Sequence, residues 1–332
     1  MKKRVVSGIR PTGKLHWGHY FGVLQNWAAL QKDYECFYFI ADWHALTSEY
    51  EHAEIIAPST IEVLADLFAA DIDPKVSSVF IQSHVPEHAE LHLLLSMIAP
   101  LGWLERVPSY KDMQQQLSDR DLSTYGFLGY PLLQTADIII YNAAMVPVGE
   151  DQVAHLEFAR EIVRRFHFIM KKEVFVEPQP LLTKTPRIPG IDGRKMSKSF
   201  GNAIYLSDDE KTIREKMMQT ITDPARKFRA DPGHPEVCNI FAYHKLFTDK
   251  EKVAEIDRDC RAAKIGCVDC KKLCIANAIE YWKPFQEKRE KWVSKPGELL
   301  KIAEAGSKRA AAEAEKNMVR VREAMGLNYR NS

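Results

Sequence analysis

Short apolar runs alternate with longer amphipathic stretches along the first part of the chain. RVVSGI (4–9), CFYFIAD (36–42), VSSVFIQS (76–83) and IIIY (138–141) are compact and rich in β-branched and aromatic residues, which predicts strands. Between them, HYFGVLQNWAALQKD and AELHLLLSMIAPLGWLERV repeat apolar residues at helical spacing. Strand, helix, strand predicts an α/β fold with a parallel sheet covered by helices on both faces. Beyond residue 202 the strand pattern nearly vanishes, and DEKTIREKMMQTI, KVAEIDRDCRAA and AGSKRAAAEAEKNMVRVREAMG are charged, amphipathic and helical in period. The expected organisation is therefore an α/β domain over 1–202 and a helical domain over 203–332, with Pro186, Pro189, Gly190, Gly193 and Gly201 punctuating the junction.

Composition adds little to this until it is divided. The 332 residues are 45% hydrophobic and 27% charged, ordinary for a globular protein, and the formal net charge is +1. Residues 1–202 carry 20 Lys+Arg against 24 Asp+Glu, whereas 203–332 carry 26 against 21, so a polyanion prefers the second part. A solvated lysine-rich helical surface would give the same excess. No apolar run reaches membrane-span length and the N-terminus has no signal-peptide core, so a cytoplasmic protein is expected.

Two segments carry phosphate chemistry. The first strand runs into SGIRPTGKLHWGHYFG, a glycine-rich turn followed by a helix start at His16 to His19. In a parallel sheet this is the strand's carboxyl end, where nucleotides bind against helix N-termini. His16 and His19 can both donate to phosphate oxygens, and Gly18 lets a nucleotide lie close to the backbone. Histidines that merely cap a helix are the plain alternative. The second segment, GRKMSKSFGN (193–202), sets Arg194, Lys195 and Lys198 among small and hydroxyl residues. Such cations stabilise charge building on a polyphosphate and then release pyrophosphate. Neither segment offers a nucleophile, so together they imply attack by a substrate oxygen on the α-phosphate of ATP.

HWGH early and an unaltered KMSKS late resemble the two signatures of class I aminoacyl-tRNA synthetases. Trp17 departs from that pattern, which usually has a smaller aliphatic residue there. SGIRPTGKLHWGHYFG, ADWHAL, YPLLQTADIIIY and VPVGEDQVAHLEFAREI narrow the resemblance to the bacterial tryptophanyl-tRNA synthetases. That resemblance implies a Rossmann-type catalytic domain, Mg2+-ATP and L-tryptophan as substrates, tRNA(Trp) as partner and a homodimer. It assigns His16, His19, Lys195 and Lys198 to catalysis, and Arg10, Gly18, His19, Gly149, Asp151, Lys195, Met196, Ser197 and Lys198 to ATP. His44, Tyr130, Gln134, Asp137 and Gln152 fall to tryptophan. Tyr130, Gln134 and Asp137 stand at i, i+4 and i+7, one face of a helix. A buried carboxylate that accepts from the indole N–H rejects phenylalanine, at a cost of about 1–3 kcal/mol for the unpaired acceptor. Tyrosine is the nearest competitor, since a phenol donates to the same aspartate.

Five of six cysteines fall between 238 and 274. Cys238, Cys260, Cys267 and Cys270, separated by 21, 6 and 2 residues, can bring four thiolates round one centre. Cys274 and Cys36 read as packed thiols. The resemblance implies a [4Fe-4S] cluster, with zinc as the alternative. Two other classes stay open: a metabolic nucleotidyltransferase, which needs no large helical domain and no KMSKS, and a non-catalytic RNA-binding relative.

Overall fold

The computed structural model describes residues 2–107, 122–149, 152–182 and 188–329. Its strands are β1 (Arg4–Ile9), β2 (Glu35–Ile40), β3 (Ser78–Ile81), β4 (Met145–Val148) and β5 (Gln179–Leu182). The helices of eight or more described residues are α1 (Asp42–Glu49), α2 (Ile56–Ala69), α3 (Glu87–Ser96), α4 (Tyr125–Ile139), α5 (Val153–Met170), α6 (Glu210–Gln219), α7 (Asn239–Phe247), α8 (Lys250–Arg261), α9 (Cys267–Val293) and α10 (Pro296–Ala324). The chain divides into two compact units. One comprises Met1–Gly13, Trp27–Lys184 and Lys295–Ser332; the other comprises Lys14–Asn26 and Thr185–Ser294.

The first unit holds a parallel sheet in the order β3-β2-β1-β4-β5. From β1 the chain winds to one side through β2 and β3, then returns to the other through β4 and β5. The carboxyl end of β1 is thus the point where winding reverses, the usual place for a ligand on such a sheet. Strand β2 is buried on both faces from Cys36 to Ile40, as expected of a strand covered on both sides. Gly8 of β1 makes room for its neighbour, because a Cβ there would fall 2.4 Å from the Phe39 ring. Trp27 stacks flat on Tyr38 at 4.4 Å and Phe37 on Tyr141 at 4.7 Å. Each such buried ring contributes about 1.5–3 kcal/mol.

Two segments differ from the sequence expectation. IIIY is not a strand: Ile138 and Ile139 end α4, whose start is capped by Thr124 accepting from the Phe127 N–H at 3.2 Å. A short apolar run has no period of its own, and a fully buried helix turn looks the same as a buried strand. The true fourth and fifth strands, MVPV and QPLL, carry Pro147 and Pro180, which weaken the strand signal. The last helix also belongs with the sheet. Gly306 of α10 lies so close to β3 that a Cβ would fall 1.8 Å from the Val79 carbonyl oxygen. Around it Ala303, Ala310 and Ala314 are fully buried. Asn317 Nδ2 donates to Ile140 O at 2.7 Å, and Arg4 pairs with Glu313 at 2.7 Å.

The second unit gathers the segment around HWGH with the residues from KMSKS to the end of α9. Trp17 donates its N–H to Ile204 O at 3.0 Å and Leu206 to Leu15 O at 2.9 Å, so 15–17 and 204–206 run as a small antiparallel pair. A π-helical turn over Tyr20–Leu24 follows. Trp17 is fully buried. Its ring meets Phe247 edge-on at 4.8 Å and Tyr243 at 5.7 Å, with Trp282 of α9 at 6.0 Å. The residue that departs from the usual signature is therefore a packing anchor, fastening the HWGH turn to α7 and α9.

Candidate active site

His16 precedes the Trp17–His19 helix with extended backbone (φ −127°, ψ 172°), which turns its buried ring back over the helix start. Gly18 permits this, since a Cβ there would stand 2.9 Å from the His16 ring. The His16 N–H donates to His19 Nδ1 at 3.2 Å. That bond leaves the neutral His19 with its proton on Nε2, as a donor. Burial first, then the charges of Lys198 and Lys195, pull the His16 pKa down to about 4. Burial, His16, Lys198 and Lys195 hold His19 well below its ordinary value. Both histidines are therefore neutral hydrogen-bond donors at pH 7, and the positive charge of the site resides on the lysines.

Those lysines belong to a hairpin. Pro189 pairs with Lys195 in an antiparallel bridge, Met196 donates to Ile188 O at 3.2 Å and Gly190 to Arg194 O at 2.7 Å. Gly193 turns it at φ +85°, a conformation that favours glycine. Asn202, 1% exposed, pins the far side. Its Oδ1 accepts from the Ser197 N–H at 2.8 Å, and its Nδ2 donates to Asp192 at 2.7 Å and to Lys195 O at 3.2 Å. Lys195 is exposed, Ser197 and Lys198 half-buried, and Met196 buried. Arg194, a third candidate cation, instead pairs with Asp192 at 2.6 Å and lies 4.3 Å from the Phe200 ring centre.

In the other unit Asp137 is 1% exposed on α4 and meets three donors. His44 Nε2 lies 2.7 Å from Oδ2, while His88 Nδ1 (2.6 Å) and Gln82 Nε2 (2.8 Å) reach Oδ1. Burial alone would raise the Asp137 pKa, but His44 and His88 outweigh it and hold the carboxyl well below its ordinary value. The carboxylate is thus ionised and accepts three bonds, with capacity for about one more. His88 continues inward, its Nε2 2.6 Å from the Tyr141 hydroxyl. Burial, then the charge of Asp137, keeps that phenol protonated by raising its pKa well above 10. Tyr130 and Gln134 share α4 with Asp137; Tyr130 is buried and Gln134 half-buried.

The remaining predicted contacts also follow carboxyl ends of strands. Arg10 follows β1 and donates to Ser48 Oγ at 2.5 Å, and His44 follows β2 on α1. Gly149 follows β4 and accepts from the Gln152 N–H at 3.0 Å. Asp151 lies outside the described residues. The family profile "tRNA synthetases class I (W and Y)" matches residues 1–283. The chain belongs to that family. The Tryptophan–tRNA ligase of Thermotoga maritima is 48% identical over 328 residues, covering 98% of this chain and 100% of the relative. That of Ralstonia nicotianae is 42% identical, covering 98% and 99%. The tryptophanyl-tRNA synthetase of Campylobacter jejuni, solved with ADP and tryptophan, superposes with a TM-score of 0.89 at 33% identity, over 98% of this chain and 100% of that one.

In this class I synthetase the four spaced cysteines line one cavity with Thr222, Asp223, Arg226, Ile240 and Ile265. None is in a disulfide. Gly233 backs the cavity, because a Cβ there would fall 2.4 Å from Cys260 Sγ. Burial pushes the Cys270 thiol up to about 12, and Cys238, Cys260 and Cys267 add to it. Arg226 reaches Cys260 Sγ at 3.8 Å. Four thiols on one walled cavity suit a soft metal centre in donor chemistry. Among the described residues, however, no His, Cys, Asp or Glu group is drawn together closely enough to hold a metal ion. Cys274, fully buried, directs its Sγ at Ile240 O, 3.7 Å away, and Cys36 is a buried thiol as expected.

Motif reading missed His88, Gln82, Tyr141 and Asn202. Gln82 is the penultimate residue of the run VSSVFIQS, so its place just after β3 was the one available signal. His88, between Glu87 and Glu90, and Tyr141, at the end of an apolar run, carry no signature of their own and become legible only once α3 and α4 meet.

Proposed function

We propose that the chain is a tryptophan–tRNA ligase. The observation that carries this is full-length similarity to tryptophan–tRNA ligases, and the pairing of HWGH and KMSKS in one unit supports the adenylation step. The tryptophan carboxylate oxygen attacks the α-phosphorus of Mg2+-ATP in line, and the bond to the β-phosphate oxygen breaks. Pyrophosphate leaves. Neutral His16 and His19 donate to phosphate oxygens while Lys195 and Lys198 take up the charge that develops. Arg10, Gly18, Gly149, Asp151, Met196 and Ser197 complete the nucleotide's surroundings. A ribose hydroxyl at the tRNA terminus then attacks the activated carbonyl, forming the ester and releasing AMP. Asp137 accepts from the indole N–H beside His44, with Tyr130, Gln134 and Gln152 at the amine end. Of the domains expected over 1–202 and 203–332, the first serves catalysis and the second, without α10, serves the tRNA, and the enzyme works as a cytoplasmic homodimer. Charging of tRNA(Trp) with labelled tryptophan tests the reading; charging absent from fully active-site-titrated protein would refute it.

Cys238, Cys260, Cys267 and Cys270 would hold a [4Fe-4S] cluster. A bound cluster would draw off the thiol protons and cross-link α7, α8 and α9. Protein purified without oxygen is expected to be brown, absorb near roughly 400 nm and contain iron and sulfide, as four-thiolate iron–sulfur centres do. Stoichiometric zinc in that sample would overturn the assignment.

A further inference from the structure

Tyr243 and Asn239 lie one helical turn apart on α7 and face the base of the lysine hairpin. The Tyr243 hydroxyl donates to Pro189 O at 2.8 Å, and Asn239 Nδ2 donates to Gly190 O at 3.0 Å. Both side chains are buried. Pro189 is the bridge partner of Lys195, and the Gly190 N–H donates to Arg194 O. The two carbonyls held by α7 therefore belong to the strand paired with the one that carries Lys195. The Tyr243 ring also meets Trp17 edge-on at 5.7 Å, with 82° between planes. Tyr243 thus touches HWGH with its ring and, with its hydroxyl, the hairpin strand that pairs with Lys195.

A turn carbonyl at a surface can take its hydrogen bond from water at little cost. Here two buried side chains supply those bonds instead, which fixes the hairpin's base relative to α7. The helix is itself packed through Phe247 against Trp17, and Cys238 at its start lines the thiol cavity.

We propose that Asn239 and Tyr243 are positioning residues for adenylate formation. They hold the 189–190 carbonyls so that Lys195, across the hairpin, stands in register with His16 and His19. The proposal rests on the tryptophan–tRNA ligase reading. Neither residue touches substrate; each acts through the hairpin.

Tyr243→Phe keeps the ring on Trp17 and removes only the hydroxyl, and Asn239→Ala removes the second bond. Each should lower kcat of tryptophan-dependent pyrophosphate exchange about tenfold, as misplacement of a catalytic group does. KM for tryptophan should stay within about twofold. Amide hydrogen exchange supplies a second readout that does not depend on activity. In Tyr243→Phe the amides of Gly190 and Met196, which donate across the hairpin, should exchange about tenfold faster, while β1 and β2 amides stay unchanged. Unaltered kcat and unaltered exchange would overturn the proposal. Protection lost across the whole second unit, with kcat and tryptophan KM failing together, would also overturn it by reducing the residues to packing. If the unsubstituted protein exchanges no pyrophosphate with tryptophan, the functional reading fails, and the amide readout still decides the positioning.

Discussion

Replacing Asp137 by Asn preserves shape and removes charge, so its cost can be worked from the three bonds the carboxylate accepts. The amide can turn its oxygen toward Gln82 and His88, which share Oδ1, and its NH2 toward His44, which faces Oδ2. His44 then carries its proton on the other nitrogen and accepts. All three contacts survive as neutral bonds, each weaker by about 1 kcal/mol than its charge-assisted form. Relief of the carboxylate's burial offsets part of this, leaving an expected loss of about 1–3 kcal/mol. Asp137→Ala leaves three buried donors without a partner and should cost more, about 3–5 kcal/mol. Urea unfolding of both variants followed by far-ultraviolet circular dichroism measures the difference. The sign with pH follows from the depressed carboxyl pKa. Its stabilisation is present above the unfolded value near 3.8 and fades only as pH falls through the lower folded value. The Asp137→Asn cost should therefore shrink below about pH 4. An Asn variant as unstable as the Ala variant, or a cost that grows rather than shrinks below about pH 4, would refute the reasoning.

Other consequences follow from the unit that carries HWGH and KMSKS. Lys195→Ala and Lys198→Ala should each slow adenylate formation by far more than they raise tryptophan KM in single-turnover assays; equal losses would mean that the hairpin only holds substrate. Gly18→Ala places a Cβ against the His16 ring and should lower kcat about tenfold by turning that donor away, measured as pyrophosphate exchange at saturating tryptophan. His16, with its folded pKa near 4, binds its proton more weakly folded than unfolded. Stability should fall as pH drops from about 6.5 to about 4, by about 3 kcal/mol from this residue, and His16→Gln should flatten that slope in pH-dependent urea titrations.

The parts legible in the sequence were those with a period or a signature. β1, β2 and β3 announce themselves as β-branched or aromatic runs, and the helices beyond 202 as charged amphipathic stretches. HWGH and KMSKS carry their chemistry in residue type and spacing. The structure adds that the histidines are neutral and that Arg194 is paired with Asp192. What could not be read was long-range. Pro147 and Pro180 hide two strands, and α10 shows its seat on β3 only through Gly306 and three alanines, whose small size has no direction in one dimension. The Asp137 network joins residues from after β2, from after β3 and from α3 and α4, separated by up to 93 positions, and no local pattern links them. Trp17 looked like a departure from a signature, and its reason lies in Tyr243, Phe247 and Trp282.

The most direct test sets tryptophan against tyrosine in one assay. Fully folded protein is incubated with Mg2+-ATP, labelled pyrophosphate and each amino acid in turn. The account predicts exchange of label into ATP with tryptophan and none above background with tyrosine. Exchange with tyrosine alone, or with neither, would contradict it.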